Sequence, residues 1–398
     1  MRHDMTTPAP IAKAALEKVF LPAGQGGRLL PQEAYTSAEV LDWERLHLFE
    51  GSWVCAGMAS NLASPGDQTA VRVGRDTILL VRGEDERIRG FYNVCRHRAH
   101  ELLQAGECRN GKSLRCPYHG WTYKLDGSLR AEVKGHHVPE FDPAAEGLVP
   151  ARVEVWHGWI FVNASGDAPP LAEWVGELEA IVAPYEPERL KLGASHEYEI
   201  ATNWKLICEN YHECYHCPQI HPQLCRVSPP DSGDNYDRNG AFVGGSMDLV
   251  PHAVTMSFDG HSDGVPLRGL SAEALRMVHY YHLFSNVLIS LHPDYVMTHR
   301  MEPLSTNRTK VECQWLFAPE AFEKPGFSPK YAEEFWDETN WQDWRAVESV
   351  QRGIESRGYV PGTLTPREDA VHHFVTRIAR GYLSGALRPE TSMAVARS

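Results

Sequence analysis

Cys95-Arg-His97 is followed, after 18 residues, by Cys116-Pro-Tyr-His119. Two thiolates and two imidazoles at that spacing form a four-ligand metal set, so whatever fold this chain adopts must present both short segments to one metal group. Two groups fit: a structural zinc, or a [2Fe–2S] cluster with Cys on one iron and His on the other. Zinc fingers usually place Cys with Cys and His with His. Here each segment offers one of each, which suits a cluster in which each loop reaches both irons. The text around the four residues is β-rich. From Trp53 to about Val162 it runs in short stretches such as Thr69-Ala-Val-Arg-Val and Thr77-Ile-Leu-Leu-Val-Arg, punctuated by Gly, Asp and Asn. This predicts a small all-β domain, with Asp167-Ala-Pro-Pro-Leu as the linker out of it.

A second cluster lies in Asn210-Tyr-His-Glu-Cys-Tyr-His-Cys-Pro-Gln-Ile-His221. A helix over Asn203–His216 would put Glu209, Glu213 and His216 on one face, at i, i+4 and i+7. Pro218 costs a helix its hydrogen bond, so a bend there lets His221 swing back toward His216. Two His near a carboxylate make most of a facial triad for non-haem Fe(II), which leaves positions open for O2 and substrate. Other readings stand beside it. Cys214 and Cys217 have the spacing of a redox dithiol, although the βαβ context of a thioredoxin is missing. The same thiols with the His residues could bind zinc, or the segment could be an ordinary helix with its His satisfied and its Cys packed.

Length sets the frame for both clusters. The chain has 398 residues, more than one core usually holds, so two domains are expected. Its net charge of −13 argues against nucleic acid or anionic lipid as the main partner. No run approaches twenty apolar residues and the N-terminus has no apolar signal core, so we expect no membrane span and a cytoplasmic location. Nine Cys, an odd number, speak for metal ligands and buried thiols rather than disulfides. The 20 His point the same way, since His is the commonest metal ligand. Ser37 reads as the N-cap of a short early helix. Val278–Leu291 and Arg308–Phe317 read as strands, and Phe335–Arg357 as a helix stopped by Gly358.

Cys95-x-His97 with Cys116-Pro-Tyr-His119-Gly-Trp121 resembles the Rieske motif of ring-hydroxylating and related oxygenases. Glu213-x-x-His216 followed by His221 resembles the mononuclear-iron motif of their α-subunits. The resemblance spans about residues 30 to 385. It implies an α+β chain in three parts: 1–47, a segment packing on the catalytic domain; 48–165, an all-β Rieske domain; and 166–398, a helix-grip catalytic domain. It also implies one [2Fe–2S] cluster on Cys95, His97, Cys116 and His119, and one Fe(II) per chain on His216, His221 and a downstream carboxylate. In the family that carboxylate precedes a Glu-x-x-Gln segment. Asp343, followed by Glu348 and Gln351, fits, and Asp337 and Glu338 match less well. Glu213 takes the position of the residue that joins the iron site to the Rieske His of a neighbouring subunit, which implies a homotrimer. Glu stands there in carnitine-type oxygenases where most members have Asp. Glu209 and Asn210 are candidates for orienting the ligands.

The text Asn203-Trp-Lys-Leu-Ile-Cys-Glu-Asn-Tyr-His-Glu-Cys-Tyr-His-Cys resembles glycine betaine and stachydrine demethylases. That implies a monooxygenase that N-demethylates a small quaternary ammonium compound, with an aromatic compound as the alternative substrate. A protein of another class, a Rieske electron carrier or iron–sulfur sensor, would have no use for the second cluster. The chain lacks G-x-G-x-x-G and four-Cys ferredoxin spacings, so electrons from NAD(P)H would come from a separate flavin and [2Fe–2S] reductase. Tyr280, Tyr281, Phe284, Trp315 and Phe317 are aromatic candidates for the pocket, and His292, Tyr295, His299 and Arg300 polar ones.

Overall fold

The computed structural model describes residues 7–131, 141–235 and 238–390; the outermost parts of the two flanking segments, 1–6 and 391–398, lie outside them. The chain is α+β and divides into two compact units, one of Arg45–Ala168 and one of Met1–Glu44 together with Pro169–Ser398.

The smaller unit is all β. Its seven-stranded sheet runs Val54–Met58, Trp159–Asn163, Pro150–Trp156, Ile88–Tyr92, Asp76–Arg82, Asp67–Val73, Cys108–Asn110. A three-stranded sheet of Leu114–Arg115, Thr122–Tyr123 and Leu129–Ala131 accompanies it. Asp67–Val73 pairs with Asp76–Arg82 across a two-residue turn at Gly74 and Arg75, and Gly74 takes the positive φ of 63° that the turn requires. Leu79, Val81, Phe91, Leu114 and Tyr123 build a core that also takes in Cys95 and Cys116.

The larger unit is built on a seven-stranded antiparallel sheet in the order Lys191–Ile200, Arg308–Phe317, Tyr295–Ser305, Val287–Leu291, Met277–Leu283, Phe242–Asp248, Asp234–Asn235. Against it lies the 25-residue helix Lys330–Ile354. Tyr198 on the edge strand donates to Asp337 at 2.6 Å, Trp336 Nε1 donates to Tyr295 Oη at 2.7 Å, and His299 Nε2 meets Asn340 Oδ1 at 3.0 Å, so these contacts pin the helix to the sheet. The helix Trp204–Tyr211 carries a fully buried Lys205, whose Nζ meets Glu44 Oε1 at 2.7 Å. Glu44 also accepts from Trp204 Nε1 at 2.9 Å and from the Tyr382 hydroxyl. Early segment, central helix and C-terminal helix Asp369–Ser384 thus share one buried ion pair, and deleting either partner would cost about 3–5 kcal/mol by stranding the other.

Ser37 caps the helix Ala38–Glu44 as its sequence predicts, with Oγ accepting from Val40 N at 3.3 Å. Three elements differ from their sequence reading. The helix expected over Asn203–His216 ends at Tyr211. The Glu213 carboxylate captures the His216 N–H at 3.0 Å and Cys217 N bonds to Cys214 O at 3.2 Å, and both compete with helical bonding. Val278–Leu291 is two strands joined through Phe284, Ser285 and Asn286, of which Ser285 and Asn286 are turn-forming residues. The long helix starts at Lys330 and ends at Ile354, before Gly358.

Candidate metal centres

Cys95 and His97 follow the strand Ile88–Tyr92, and Cys116 to His119 form the turn between Leu114–Arg115 and Thr122–Tyr123. Backbone bonds close both loops: Cys95 N to His100 O at 2.9 Å in the first, and Cys116 N to Trp121 O at 2.8 Å in the second. Gly120 supplies a φ of 76° at the return. The buried Asn93 side chain ties down the first loop, accepting from Leu102 N at 3.0 Å and donating to Leu103 O at 2.7 Å. Both Cys are buried, whereas the rings of His97 and His119 lie 4.6 Å apart toward the surface. His97 stacks on Trp121 at 5.0 Å. Burial raises the Cys95 thiol pKa; the Tyr123 hydroxyl, 3.2 Å from Sγ, opposes the rise and the Cys116 thiol adds to it. His119 Nδ1 is buried with no hydrogen-bond partner. Two buried sulfurs and two neighbouring imidazoles, one with an orphaned buried nitrogen, are the donors that a Cys2His2 iron–sulfur cluster needs. They do not converge on one point as a zinc site requires: among the described residues, only His216, His221 and Asp343 form a group of three or more donors within 4.8 Å of one another.

That second group is assembled from three places. His216 sits on the turn after Tyr211, His221 between the short helices Cys217–Ile220 and Pro222–Val227, and Asp343 in the middle of the long helix. His221 Nε2 lies 2.9 Å from Asp343 Oδ1 and 3.2 Å from His216 Nε2; His216 Nε2 is 3.4 Å from Asp343 Oδ1. Both Nδ1 atoms are already engaged, His216 with Glu213 Oε1 at 2.6 Å and His221 with Gln342 Oε1 at 2.6 Å. These oxygens only accept, so each Nδ1 carries its proton and each Nε2 presents a lone pair. Two lone pairs and a carboxylate facing one point repel unless a cation joins them, so the residues fit a metal. Counting protons alone, the same demand appears in the titration. Burial disfavours charge on His216, but Asp343 and Glu213 outweigh it and raise its pKa to about 10. Burial would raise the Asp343 carboxyl, but with protons on the facing His216 and His221 nitrogens in place of a metal, their hydrogen bonds bring it down to about 2.

The structure therefore brings His216, His221, Asp343 and Glu213 together, and it places the competing carboxylates elsewhere. Asp337 holds Tyr198 and His196, and Glu338 accepts from Gln342 at 2.9 Å. Glu348 and Gln351 accept from the backbone of Ala201 and Asn203, fixing the entry to the helix Trp204–Tyr211. Glu209 is buried and accepts from Tyr35 at 2.7 Å, away from the His pair. Sequence reasoning missed Gln342 and Gln223, whose Nε2 holds Gln342 Oε1 at 2.7 Å. The signal was there in Gln342, next to Asp343.

A cavity of about 400 Å³ opens over this group. Tyr211, Tyr280, Trp336 and Trp344 supply its aromatic walls, and Asp231, Asp234, Asp369 and Arg367 its charged lining. Of the aromatic residues expected there, only Tyr280 lines it; Tyr281, Phe284, Trp315 and Phe317 are buried in the core. Of the polar ones, only His299 does. Side chains alternate across a strand, so neighbours such as Tyr280 and Tyr281 face opposite sides.

The profile of the Rieske [2Fe-2S] domain matches residues 52–142, and that of the ring hydroxylating alpha subunit catalytic domain residues 187–384. The chain belongs to the Rieske ring-hydroxylating oxygenase α-subunit family: an oxidoreductase with a [2Fe–2S] domain and a catalytic domain that binds mononuclear iron. It is 30% identical over 366 residues to the glycine betaine monooxygenase oxygenase subunit of Pseudomonas aeruginosa, covering 84% of each chain. To the carnitine monooxygenase oxygenase subunit of Escherichia coli it is 32% identical over 339 residues, 83% of this chain and 85% of the relative. A crystal structure of a quaternary ammonium Rieske monooxygenase in complex with gamma-butyrobetaine superposes with a TM-score of 0.74 at 26% identity, over 94% of this chain and 99% of the other. An oxygenase subunit of this kind works with a separate reductase on a small-molecule substrate. Among the described residues, no helix is long and apolar enough to cross a membrane.

Proposed function

We propose that this chain is the terminal component of a monooxygenase that N-demethylates a small quaternary ammonium compound, glycine betaine-like in size. The observation that carries the proposal is the set of aromatic walls, Tyr211, Tyr280, Trp336 and Trp344, around His216, His221 and Asp343. Ring faces attract a cation that cannot hydrogen-bond, and each good contact is worth about 0.5–2 kcal/mol. Carboxylates at Asp231, Asp234 and Asp369 add to the attraction for a positive charge, and Arg367 offers a partner for a substrate carboxylate. The relatives named for glycine betaine and carnitine support the same substrate class.

In this reading Cys95, His97, Cys116 and His119 hold the cluster, and His216, His221 and Asp343 hold the iron. When bound, the cluster supplies single electrons and the iron activates O2. One oxygen atom enters an N-methyl C–H bond and the other leaves as water. The hydroxymethyl product then collapses to tertiary amine, formaldehyde and a proton. Gln342 and Glu213 keep the His tautomers that present Nε2. Glu213 uses one lone pair of each oxygen on His216, which leaves others free to accept from a Rieske His of a neighbouring subunit in a homotrimer. The partner would be an NAD(P)H-dependent flavin and [2Fe–2S] reductase, and the location the cytoplasm.

The test is O2 uptake with formaldehyde detection, using a generic reductase and a panel of betaines, carnitine, choline and aromatic acids. The proposal expects one mole of formaldehyde per O2 with a quaternary ammonium compound, and three irons per chain falling to two in Asp343→Ala. Coupled uptake with aromatic acids alone would refute the substrate class.

A further inference from the structure

The turn that carries His216 holds a feature the proposed reaction does not use. Cys214 and Cys217 are joined by a disulfide, with Cα atoms 4.9 Å apart. This corrects the expectation that the nine Cys avoid disulfides and that these two merely pack a helix. The pairing follows from the early end of that helix: once Cys217 N bonds to Cys214 O, the two side chains meet across a four-residue turn. His216 lies inside the closed ring, and its Nε2 is 3.9 Å from Cys217 Sγ. Cys217 is 3% exposed, Cys214 is half-buried, and both line the cavity.

We propose that Cys214 and Cys217 form a reversible redox site, reduced by dithiols, whose oxidised state locks His216 in its position facing His221 and Asp343. The proposal rests on the assignment of those three residues as iron ligands. Reduction balances as a two-electron exchange. A dithiol R(SH)2 attacks as thiolate at the more accessible Cys214 Sγ, and the Cys214–Cys217 bond breaks. Cys217 leaves as a thiolate and takes up a proton. The second thiol of the reductant then displaces Cys214, giving the oxidised reductant and two protein thiols. In the reverse direction O2, already a substrate of this enzyme class, accepts two electrons and two protons as H2O2 while the disulfide re-forms.

The placement explains why the state of this bond matters. His221 is held by Gln342 and Asp343 by the body of a long helix, whereas His216 depends on its turn. With the disulfide open, that turn keeps the Cys217 N to Cys214 O bond, the bonds from Gln219 N and Ile220 N to His216 O, and the Glu213 contacts, none of them covalent. Opening it removes the one covalent tie across the turn that carries His216. Disulfides in reducing compartments are mostly transient and redox-sensing, which favours a switch over a permanent brace.

Two measurements on the purified holoenzyme test this. Alkylation under denaturing conditions with mass spectrometry counts the thiols at Cys214 and Cys217, in air and after dithiothreitol. Release of mononuclear iron to a ferrous chelator is then timed anaerobically in both states, with the visible spectrum of the Rieske cluster as an internal control. We expect both residues protected in air and alkylated after dithiothreitol. Iron release should be at least about tenfold faster in the reduced protein, and equally fast in Cys214→Ser without reductant. Alkylation of both thiols in air, or resistance to dithiothreitol, would overturn the proposal. Three irons per chain with equal release rates would overturn it alone, whereas two irons per chain in both states would overturn the ligand assignment with it.

Discussion

Gln342→Leu should weaken the proposed iron site without removing a ligand. Gln342 Oε1 takes the Nδ1–H of His221 at 2.6 Å, and His221 is only 1% exposed, so no water can replace it. Leaving that N–H buried without an acceptor costs about 1–3 kcal/mol. The ring also loses the contact that keeps its proton on Nδ1 and its lone pair on Nε2. The leucine deprives Gln223 Nε2 of its 2.7 Å partner, leaving only Thr339 Oγ1 at 3.5 Å, so the upper half of the range applies. The metal-free and metal-bound forms share part of that penalty, so the loss in Fe(II) affinity is about 10–100-fold, or about 1.4–2.7 kcal/mol, as is typical of removing the partner of a ligating His. Anaerobic competition with a ferrous chelator measures it, with the Rieske absorbance as a control that the other unit is intact. Gln223→Leu leaves the Gln342 acceptor in place and should cost less than about tenfold. An affinity for Gln342→Leu within threefold of the parent would show that His221 does not depend on Gln342, and the tautomer argument would fail.

Three further perturbations probe other parts of the chain. Glu213→Ala should keep both metals yet lose coupled turnover; normal product formation by that variant would exclude a bridging role. Trp336→Ala should raise KM for the quaternary ammonium substrate about 10–30-fold, the loss of one desolvated cation–π wall, and leave the cluster spectrum unchanged; an unaltered KM would place the ammonium elsewhere. Glu209 is raised from 4.5 to about 7 by burial, against the opposing pull of Tyr35 and Lys205. The folded state therefore binds this proton more tightly than the unfolded chain. Stability from this group is full below about pH 4.5 and declines as pH rises to about 7, by on the order of 3 kcal/mol. Glu209→Gln, neutral throughout, should flatten the urea midpoint between pH 5 and 8, and an unchanged slope would refute the assignment.

Read alone, the chain determined its class of chemistry. Cys95-x-His97 with Cys116-x-x-His119, and His216 with His221, are local spacings, and ligand spacing survives any detail of packing because short loops have few ways to reach a metal. Asp343 was legible only through the Glu-x-x-Gln segment after it, whose real work is to hold the backbone at Ala201 and Asn203. The strand Arg308–Phe317 was legible end to end, because its apolar, aromatic and β-branched content matches its largely buried place inside the sheet.

What tertiary structure decided was which side chains share a space. Tyr280 and Tyr281 are indistinguishable as letters, and strand register alone sends one to the cavity and the other to the core. Gln342, Trp336 and Trp344 come from the long helix, more than a hundred residues after His221, and only the packing of that helix delivers them. The end of the helix at Tyr211 was a competition between bonds: helical periodicity favoured continuation, and the Glu213 carboxylate with the Cys214–Cys217 turn won. That outcome put two thiols in bonding reach with His216 between them, because a side chain that captures a nearby backbone N–H competes locally with the helix, and periodicity alone does not weigh that competition.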